Sequence, residues 1–286
     1  VCGASDSKLE IAVLVSDESI EKWQRNALAT LVAEPDIDIT HVVINNGNNV
    51  SDYRREWMAF ARDALERIRA YPLWSLVGVA RLLTPTPEYE RHVRIDSIEG
   101  VSNAERLFCS PQSEGEFWNT FPGEIVDRIE NVDVVVRFGF GMIKGRILEA
   151  PEYGVLSYHP GDIRAYRGQP GGFWEFLDGE DEMGVTVQRL NETLDGGEIA
   201  ALEVIDIKEV NTWQEIKKKA FSTAEGMLPP AVRSLTDPEK AVEHPDEIGA
   251  LYSTPTGWAV VRYVFKNTRG RIRNYISDRV PPLGHE

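Results

Sequence analysis

A histidine at the end of one short apolar run and an aspartate in a glycine turn are the residues of this chain best suited to chemistry. The run Gly154-Val155-Leu156-Ser157-Tyr158-His159-Pro160 ends on His159, and the proline that follows stops it. Asp195 stands in Leu194-Asp195-Gly196-Gly197, just before another apolar run, where glycine gives the backbone freedom to aim a carboxylate. An aspartate beside a histidine holds the ring's tautomer and stabilises its protonated form. A lone histidine is weak evidence of a site, so a structural role for His159 stands beside the catalytic one. The polar loop from Gly161 to Gly168 carries Asp162, Arg164, Tyr166 and Arg167. An arginine there is able to grip phosphate or carboxylate through two hydrogen bonds, or simply to pair with a neighbouring carboxylate in solvent. Phe138-Gly139-Phe140-Gly141-Met142 is glycine-rich, which either lets backbone approach a flat ligand or merely turns the chain.

The elements that must position these residues alternate between strand and helix. Residues 9–15 form an apolar run suited to a buried parallel strand, capping residues 16–19 follow, and residues 20–32 have helical spacing. Residues 37–44 alternate as a second strand and end at a turn-prone Asn45-Asn46-Gly47. The pattern predicts one or two helices over 51–83 with a break at Pro72, short strands over 92–98 and 106–110, a helix over 121–129 and a strand over 132–136. Beyond these come strands over 154–159, 184–190 and 200–207, short and long helices over 173–177 and 213–234 (the second interrupted or ended near Pro229-Pro230), a linker over 239–255 and a final helix over 256–278. Open α/β sheets bind ligands at the carboxyl ends of their strands, where His159 falls. Neither GxGxxG nor GxxxxGK[ST] follows the first strand, which excludes a dinucleotide fingerprint and a P-loop where they would have to be.

Composition narrows the class. The 286 residues hold 46 acids against 31 bases, a net charge of −15, with 42% hydrophobic residues. This fits one large globular domain, or one domain with an appendage, and excludes disorder. No apolar run approaches the roughly 18–20 residues of a membrane helix and no signal peptide is visible, so a soluble cytoplasmic protein without membrane insertion is expected. Cys2 and Cys109 are too few for a disulfide scaffold or a thiolate zinc site, and no metal is expected. The acidity argues against a nucleic-acid partner. Lysines number only 9 against 22 arginines, which fits an ordinary acidic enzyme or halophilic adaptation to a high-salt cytoplasm, where screening shortens self-repulsion to about 3 Å at 1 M salt.

Four blocks carry a family resemblance: residues 154–161, Tyr166-Arg167-Gly168, Gly184-Val185-Thr186-Val187 and Leu194-Asp195-Gly196-Gly197-Glu198-Ile199. In this order and spacing the chain resembles the folate-dependent formyltransferases, which include glycinamide ribonucleotide, methionyl-tRNA and sugar-nucleotide N-formyltransferases. The resemblance covers residues 130–207 well and residues 8–50 in fold pattern only. It implies a Rossmann-like α/β fold with a mostly parallel central sheet and an added helical C-terminal segment. The catalytic domain is then expected over 1–207, with a helical insertion at about 51–83, and a helical extension over 208–286. It also implies 10-formyltetrahydrofolate as co-substrate and a small primary amine as acceptor. Carried over residue by residue, His159 and Asp195 are catalytic, and Ser157 stands where the family has asparagine. Ser157 leaves three readings open: a working substitute, a formyl hydrolase, or a binding protein that has lost turnover. Folate contacts are implied at Gly139, Phe140, Gly141, Met142, Asn191 and Leu194, with core packing the alternative for Phe140 and Met142. The acceptor is expected at Asp162, Arg164, Tyr166 and Arg167.

The family's tRNA enzymes add a C-terminal barrel, whereas the last 80 residues here have helical spacing. The purine-pathway enzyme is shorter and lacks the insertion at 51–83, which leaves an amino sugar on a nucleotide as the expected acceptor. From Gly257 onward six bases face two acids. Such a tail is expected to dock on the acidic body or on a second subunit, giving a homo-oligomer. A phosphate-bearing substrate, an acidic partner or an anionic membrane surface are its alternatives.

Overall fold

Strands with valine, isoleucine and leucine on both faces must lie between two covering layers, and the chain supplies both. The computed structural model describes residues 8–46, 64–115, 117–240 and 242–279. Its first half runs β1 (Leu9–Val15), β2 (Ser19–Glu21), α1 (Lys22–Val32), β3 (Ile37–Asn45), α2 (Pro72–Leu82), β4 (His92–Arg94), β5 (Glu105–Cys109), β6 (Gln112–Glu114), β7 (Trp118–Thr120) and α3 (Gly123–Ile129). The second half runs β8 (Val134–Arg137), β9 (Met142–Ile143), β10 (Val155–His159), β11 (Tyr166–Gly168), α4 (Phe173–Asp178), β12 (Glu182–Arg189) and β13 (Glu198–Asp206). Then come α5 (Trp213–Ala224), α6 (Leu228–Thr236), β14 (Ala250–Tyr252) and α7 (Gly257–Ser277).

Seven strands form the central sheet in the order β13-β12-β10-β8-β1-β3-β5. The pairs from β10 to β5 are parallel, and β12 and β13 join antiparallel at one edge. On one face Ile11, Val13 and Val15 pack against Trp23, Ala27, Leu28 and Leu31 of α1, in a cluster that also takes in α5 and α6. On the other, Ala12, Leu14 and Val135 pack against Ile125, Val126 and Ile129 of α3. Full burial of each such aliphatic side chain contributes about 1.5–3 kcal/mol. The architecture is the expected α/β fold with a mostly parallel sheet and a C-terminal helix.

Local departures from the sequence pattern have physical causes. The first helix begins at Lys22, because Ser19–Glu21 pairs with His92–Arg94 and Glu21 forms a capping box with Gln24. The interruption expected near Pro229-Pro230 in the helical segment 213–234 falls just before them, at residues 225–227, because the two prolines open α6, where a missing N–H costs nothing. Of the expected insertion, residues 51–63 lie outside the described residues; residues 64–70 are helical and α2 begins at Pro72. The linker region contains β14, which pairs with β11.

Residues beyond 207 share the main core, since Trp213, Ile216, Ala220, Leu228 and Val232 belong to the same cluster as β1. The basic helix α7 docks on the body. Tyr263 packs 5.1 Å from Phe173 and 5.8 Å from Trp74, ring centre to ring centre. Arg262 and Lys266 donate to the carbonyls of Leu177 and Phe176 at the C-terminal end of α4, where a cation meets the negative end of the helix dipole. Among the described residues no helix is long and apolar enough to cross a membrane.

Candidate functional site

The site is assembled by strand register. Ser157 on β10 stands opposite Arg137 on β8 and Gln188 on β12, and His159 stands opposite Thr186. Residues two apart on a strand share a face. Arg137, Ser157, His159, Thr186 and Gln188 therefore form one polar group on one face of an otherwise aliphatic sheet. Ser157, His159, Thr186 and Gln188 are all buried.

His159 is held from both sides. Its Nδ1 lies 3.5 Å from Asp195 Oδ1, and its Nε2 lies 2.9 Å from the Tyr166 carbonyl oxygen. The loop folds back over the ring at Gly161, where a Cβ would come within 2.8 Å of Nε2. Burial pushes the His159 pKa down, but the Asp195 carboxylate and the Tyr166 carbonyl outweigh it and the net shift is upward. For Asp195, burial pushes upward and is outweighed by His159, the Gly168 N–H and the Gln188 amide, so the net shift is downward. The two shifts favour an imidazolium–carboxylate pair.

Asp195 has φ of +44°, a region that side-chain-bearing residues avoid. Its carboxylate holds it there, accepting from Gly168 N–H at 2.9 Å and from Gln188 Nε2 at 3.3 Å. Gln188 Oε1 in turn accepts from Gly197 N–H at 3.1 Å. Arg167 ties down the same turn, donating to the carbonyls of Leu194 at 3.0 Å and Gly249 at 2.7 Å. A further carboxyl, Glu175 on α4, is buried close enough to feel the His159 charge, and desolvation pushes its pKa up to about 7.

These groups open onto a cavity of about 820 Å³. Arg137, Ser157, His159 and Asp195 meet it together, with Trp118, Met142, Ile143, Asn191 and Leu194 also on its wall. Trp213, Lys217, Phe221 and Tyr252 line it as well. The volume lies within the roughly 300–1,000 Å³ of small-molecule sites. Among the described residues no group of three or more His, Cys, Asp or Glu is placed to hold a metal ion.

Six of the residues singled out in the sequence meet at this cavity: Ser157, His159, Asp195, Met142, Asn191 and Leu194. The others are engaged elsewhere. Gly139 allows the ends of β1 and β8 to touch, since a Cβ there would lie 2.4 Å from Ser16 N. Phe140 is buried against Phe121, with ring centres 4.8 Å apart, and the Gly141 carbonyl accepts from Arg137. Arg164 closes on Asp162 at 2.8 Å and on Glu243 at 2.9 Å, and the Tyr166 hydroxyl donates to Glu180 at 3.0 Å.

Three participants, on two strands, were not singled out as site residues. Arg137 ends the strand Val134-Val135-Val136-Arg137, a cation closing an all-valine run. Thr186 and Gln188 are polar at alternate positions of a strand whose other residues are apolar there. Both signals were visible in the composition of their strands.

All of these groups fall inside the segment, residues 112–232, that matches the family Formyl transferase. Over that segment the chain resembles formyl transferases. Among curated relatives it is 33% identical over 99 residues to methionyl-tRNA formyltransferase of Ehrlichia canis, which is 34% of this chain and 33% of that one. It thus spans about a third of the length of such relatives. Among solved structures it resembles phosphoribosylglycinamide formyltransferase from Anaplasma phagocytophilum, with a TM-score of 0.53 and 12% identity over 87% of this chain and 100% of that one. It also resembles glycinamide ribonucleotide transformylase 1 from Symbiobacterium toebii, with a TM-score of 0.51 and 15% identity over 86% of this chain and 98% of that one. At such identities the likeness is one of fold. The matched segment contains Arg137, Ser157, His159, Gln188 and Asp195, with Asp195 in the turn between β12 and β13.

Proposed function

We propose that the protein is an N-formyltransferase that moves the formyl group of 10-formyltetrahydrofolate to a small primary amine, an amino sugar carried on a nucleotide. One observation carries this reading: a buried His159–Asp195 pair faces a ligand-sized cavity within a segment that matches formyl transferases. Trp118, Met142, Ile143 and Leu194 suit the flat, largely apolar ring system of a folate, and Asn191 adds a polar contact. Trp213, Phe221 and Tyr252 offer aromatic surface to an acceptor. Arg81 and Lys217 pair with Glu90 on the cavity wall, with Glu21 beside them, and offer an acceptor polar and charged contacts. A small-molecule acceptor needs no nucleic-acid surface, and the reading places the enzyme in the cytoplasm.

In this reaction the amine nitrogen attacks the formyl carbon, a new C–N bond forms, and the bond to the folate nitrogen breaks. Negative charge develops on the formyl oxygen, and the amine loses a proton. His159 places positive charge beside that oxygen. Asp195 keeps the ring charged and relays the amine's proton to the folate nitrogen as its bond to the formyl carbon breaks. Ser157 serves here in place of the family's asparagine.

The test is tetrahydrofolate release when the protein is mixed with 10-formyltetrahydrofolate and a panel of amino-sugar nucleotides. Release with at least one of them is expected. Tight folate binding without release for any amine would sink the transferase reading in favour of a binding protein, and release without any amine would favour a hydrolase.

A further inference from the structure

We propose that Arg137 is a catalytic residue of this site, the group whose N–H bonds contact the formyl oxygen as it gains charge. This inference rests on the formyl-transfer reading and adds a residue to it.

The argument begins with the hydrogen bonds already made. A protonated imidazole has one N–H on each ring nitrogen. In His159 one nitrogen faces Asp195 Oδ1 and the other the Tyr166 carbonyl, so both N–H bonds are directed into the protein. His159 therefore offers a substrate its charge and no free N–H. Gln188 is neutral, and it gives one Nε2 N–H to Asp195 and its Oε1 to the Gly197 N–H, which leaves a single N–H. Ser157 Oγ accepts a hydrogen bond at 2.7 Å from Arg137 Nη1.

Arg137 is the exception. A guanidinium carries five N–H bonds. One on Nη1 goes to Ser157 and one on Nη2 goes to the Gly141 carbonyl. Among the described residues this leaves one N–H on each terminal nitrogen uncommitted, and buried Nε has no partner. Arg137 lines the main cavity beside Ser157, His159 and Asp195. It also lines a neighbouring recess of about 260 Å³ formed with Trp23, Phe138, Tyr158 and Phe221.

Stability alone does not account for such a residue. Taking a guanidinium out of water is costly unless it is paired, and no carboxylate is hydrogen-bonded to this one among the described residues. The group is thus fixed by Ser157 and Gly141, has N–H bonds without a partner among the described residues, and lines a ligand-sized cavity. Donors already oriented toward developing charge need no reorganisation during reaction, and one such donor contributes about 100- to 1,000-fold in rate. Ser157 is then a positioning residue as well: its hydroxyl fixes the guanidinium, and its own proton remains available.

The experiment uses the full chain, 10-formyltetrahydrofolate, and hydroxylamine as a surrogate amine, with tetrahydrofolate release followed by absorbance. Arg137→Ala is expected to lower kcat about 100- to 1,000-fold with the KM for the folate changed by no more than about threefold. Arg137→Lys, which keeps the charge and loses the fork, is expected to recover only part of the rate, and added guanidinium to restore Arg137→Ala but not His159→Gln. A second readout is the formyl carbonyl stretch of bound, isotopically labelled 5-formyltetrahydrofolate, expected lower in frequency in the wild type than in Arg137→Ala. A kcat for Arg137→Ala within about threefold of wild type would overturn the proposal, as would an unchanged carbonyl stretch. A wild type that binds no 5-formyltetrahydrofolate would overturn the formyl-transfer reading and this one with it.

Discussion

Two parts of this molecule are rich in groups that could do chemistry, and they differ in what those groups face. In the loop from Gly161 to Gly168, every charged side chain is closed on a protein partner. Arg164 meets Asp162 and Glu243, Arg167 meets two carbonyls, and Tyr166 meets Glu180. At the strand ends, Arg137, Ser157, His159 and Asp195 line the cavity together, with the His159 pKa raised and that of Asp195 lowered, and Glu175 on nearby α4 is pushed toward neutrality by burial. The loop resembles a structural clamp and the strand ends resemble a site. Residue type is similar in the two; access to the cavity is not. If this division is right, substitutions at the strand ends cost activity more than stability, and substitutions in the loop do the reverse.

The largest effect should come from breaking the ion pair. His159→Gln and Asp195→Asn are each expected to lower kcat for tetrahydrofolate release about 10²- to 10⁴-fold, read from steady-state kinetics. The pH profile carries the sign of the pKa shifts. Activity needs protonated His159, whose pKa is raised, so the alkaline limb should lie above the ordinary histidine range. It also needs ionised Asp195, whose pKa is lowered, so the acid limb should lie below the ordinary aspartate range. Asp195→Asn removes the partner that outweighs burial and should bring the alkaline limb down. A limb that stays in place would detach Asp195 from His159. The same pair bears on stability: the His159 contribution is lost as pH rises through its raised pKa, and that of Asp195 as pH falls through its lowered one.

How far this division was legible in sequence follows from what each residue depends on. His159 and Asp195 advertise themselves locally, one at a strand end before a proline and the other in a glycine turn. The helices and parallel strands follow from apolar periodicity in the same local way. Arg137 and Gln188 become neighbours of Ser157 through the registers β8–β10 and β10–β12, which no single segment encodes. The start of α1 depends likewise on pairing between β2 and the distant β4. Arg164 misleads for a different reason. Its chemistry says what it is able to grip, while only the folded chain says that Asp162 and Glu243 already fill it.

A smaller effect should separate the regions by stability. Glu175 is buried, and its pKa rises from 4.5 to about 7. Below its ordinary value the folded and unfolded chains are both protonated there, and burial carries no ionisation cost. Between the two values the unfolded chain ionises first, so stability falls as pH rises, levelling off above the folded pKa at about 3 kcal/mol. Glu175→Gln should therefore raise the melting temperature at about pH 8 and leave it nearly unchanged at pH 4.5. Equal shifts at both values would show that Glu175 is not held neutral by burial.

The smallest effects belong to the loop, and they test the clamp most directly. Arg167→Ala removes two hydrogen bonds from a cation to carbonyls, one of them on Leu194 beside Asp195. A loss of about 1–2 kcal/mol in denaturant unfolding is expected, with a modest fall in kcat because the Asp195 turn loosens. Arg164→Ala should cost less still, under about 1 kcal/mol, since its side chain is more than a third exposed and its partners lie in solvent. Its KM for the acceptor should match the wild type, because neither Arg164 nor its partners Asp162 and Glu243 line the cavity. A clear rise in acceptor KM for Arg164→Ala, with folding intact, would mean that the clamp opens to bind substrate, and the line drawn between the two regions would have to move.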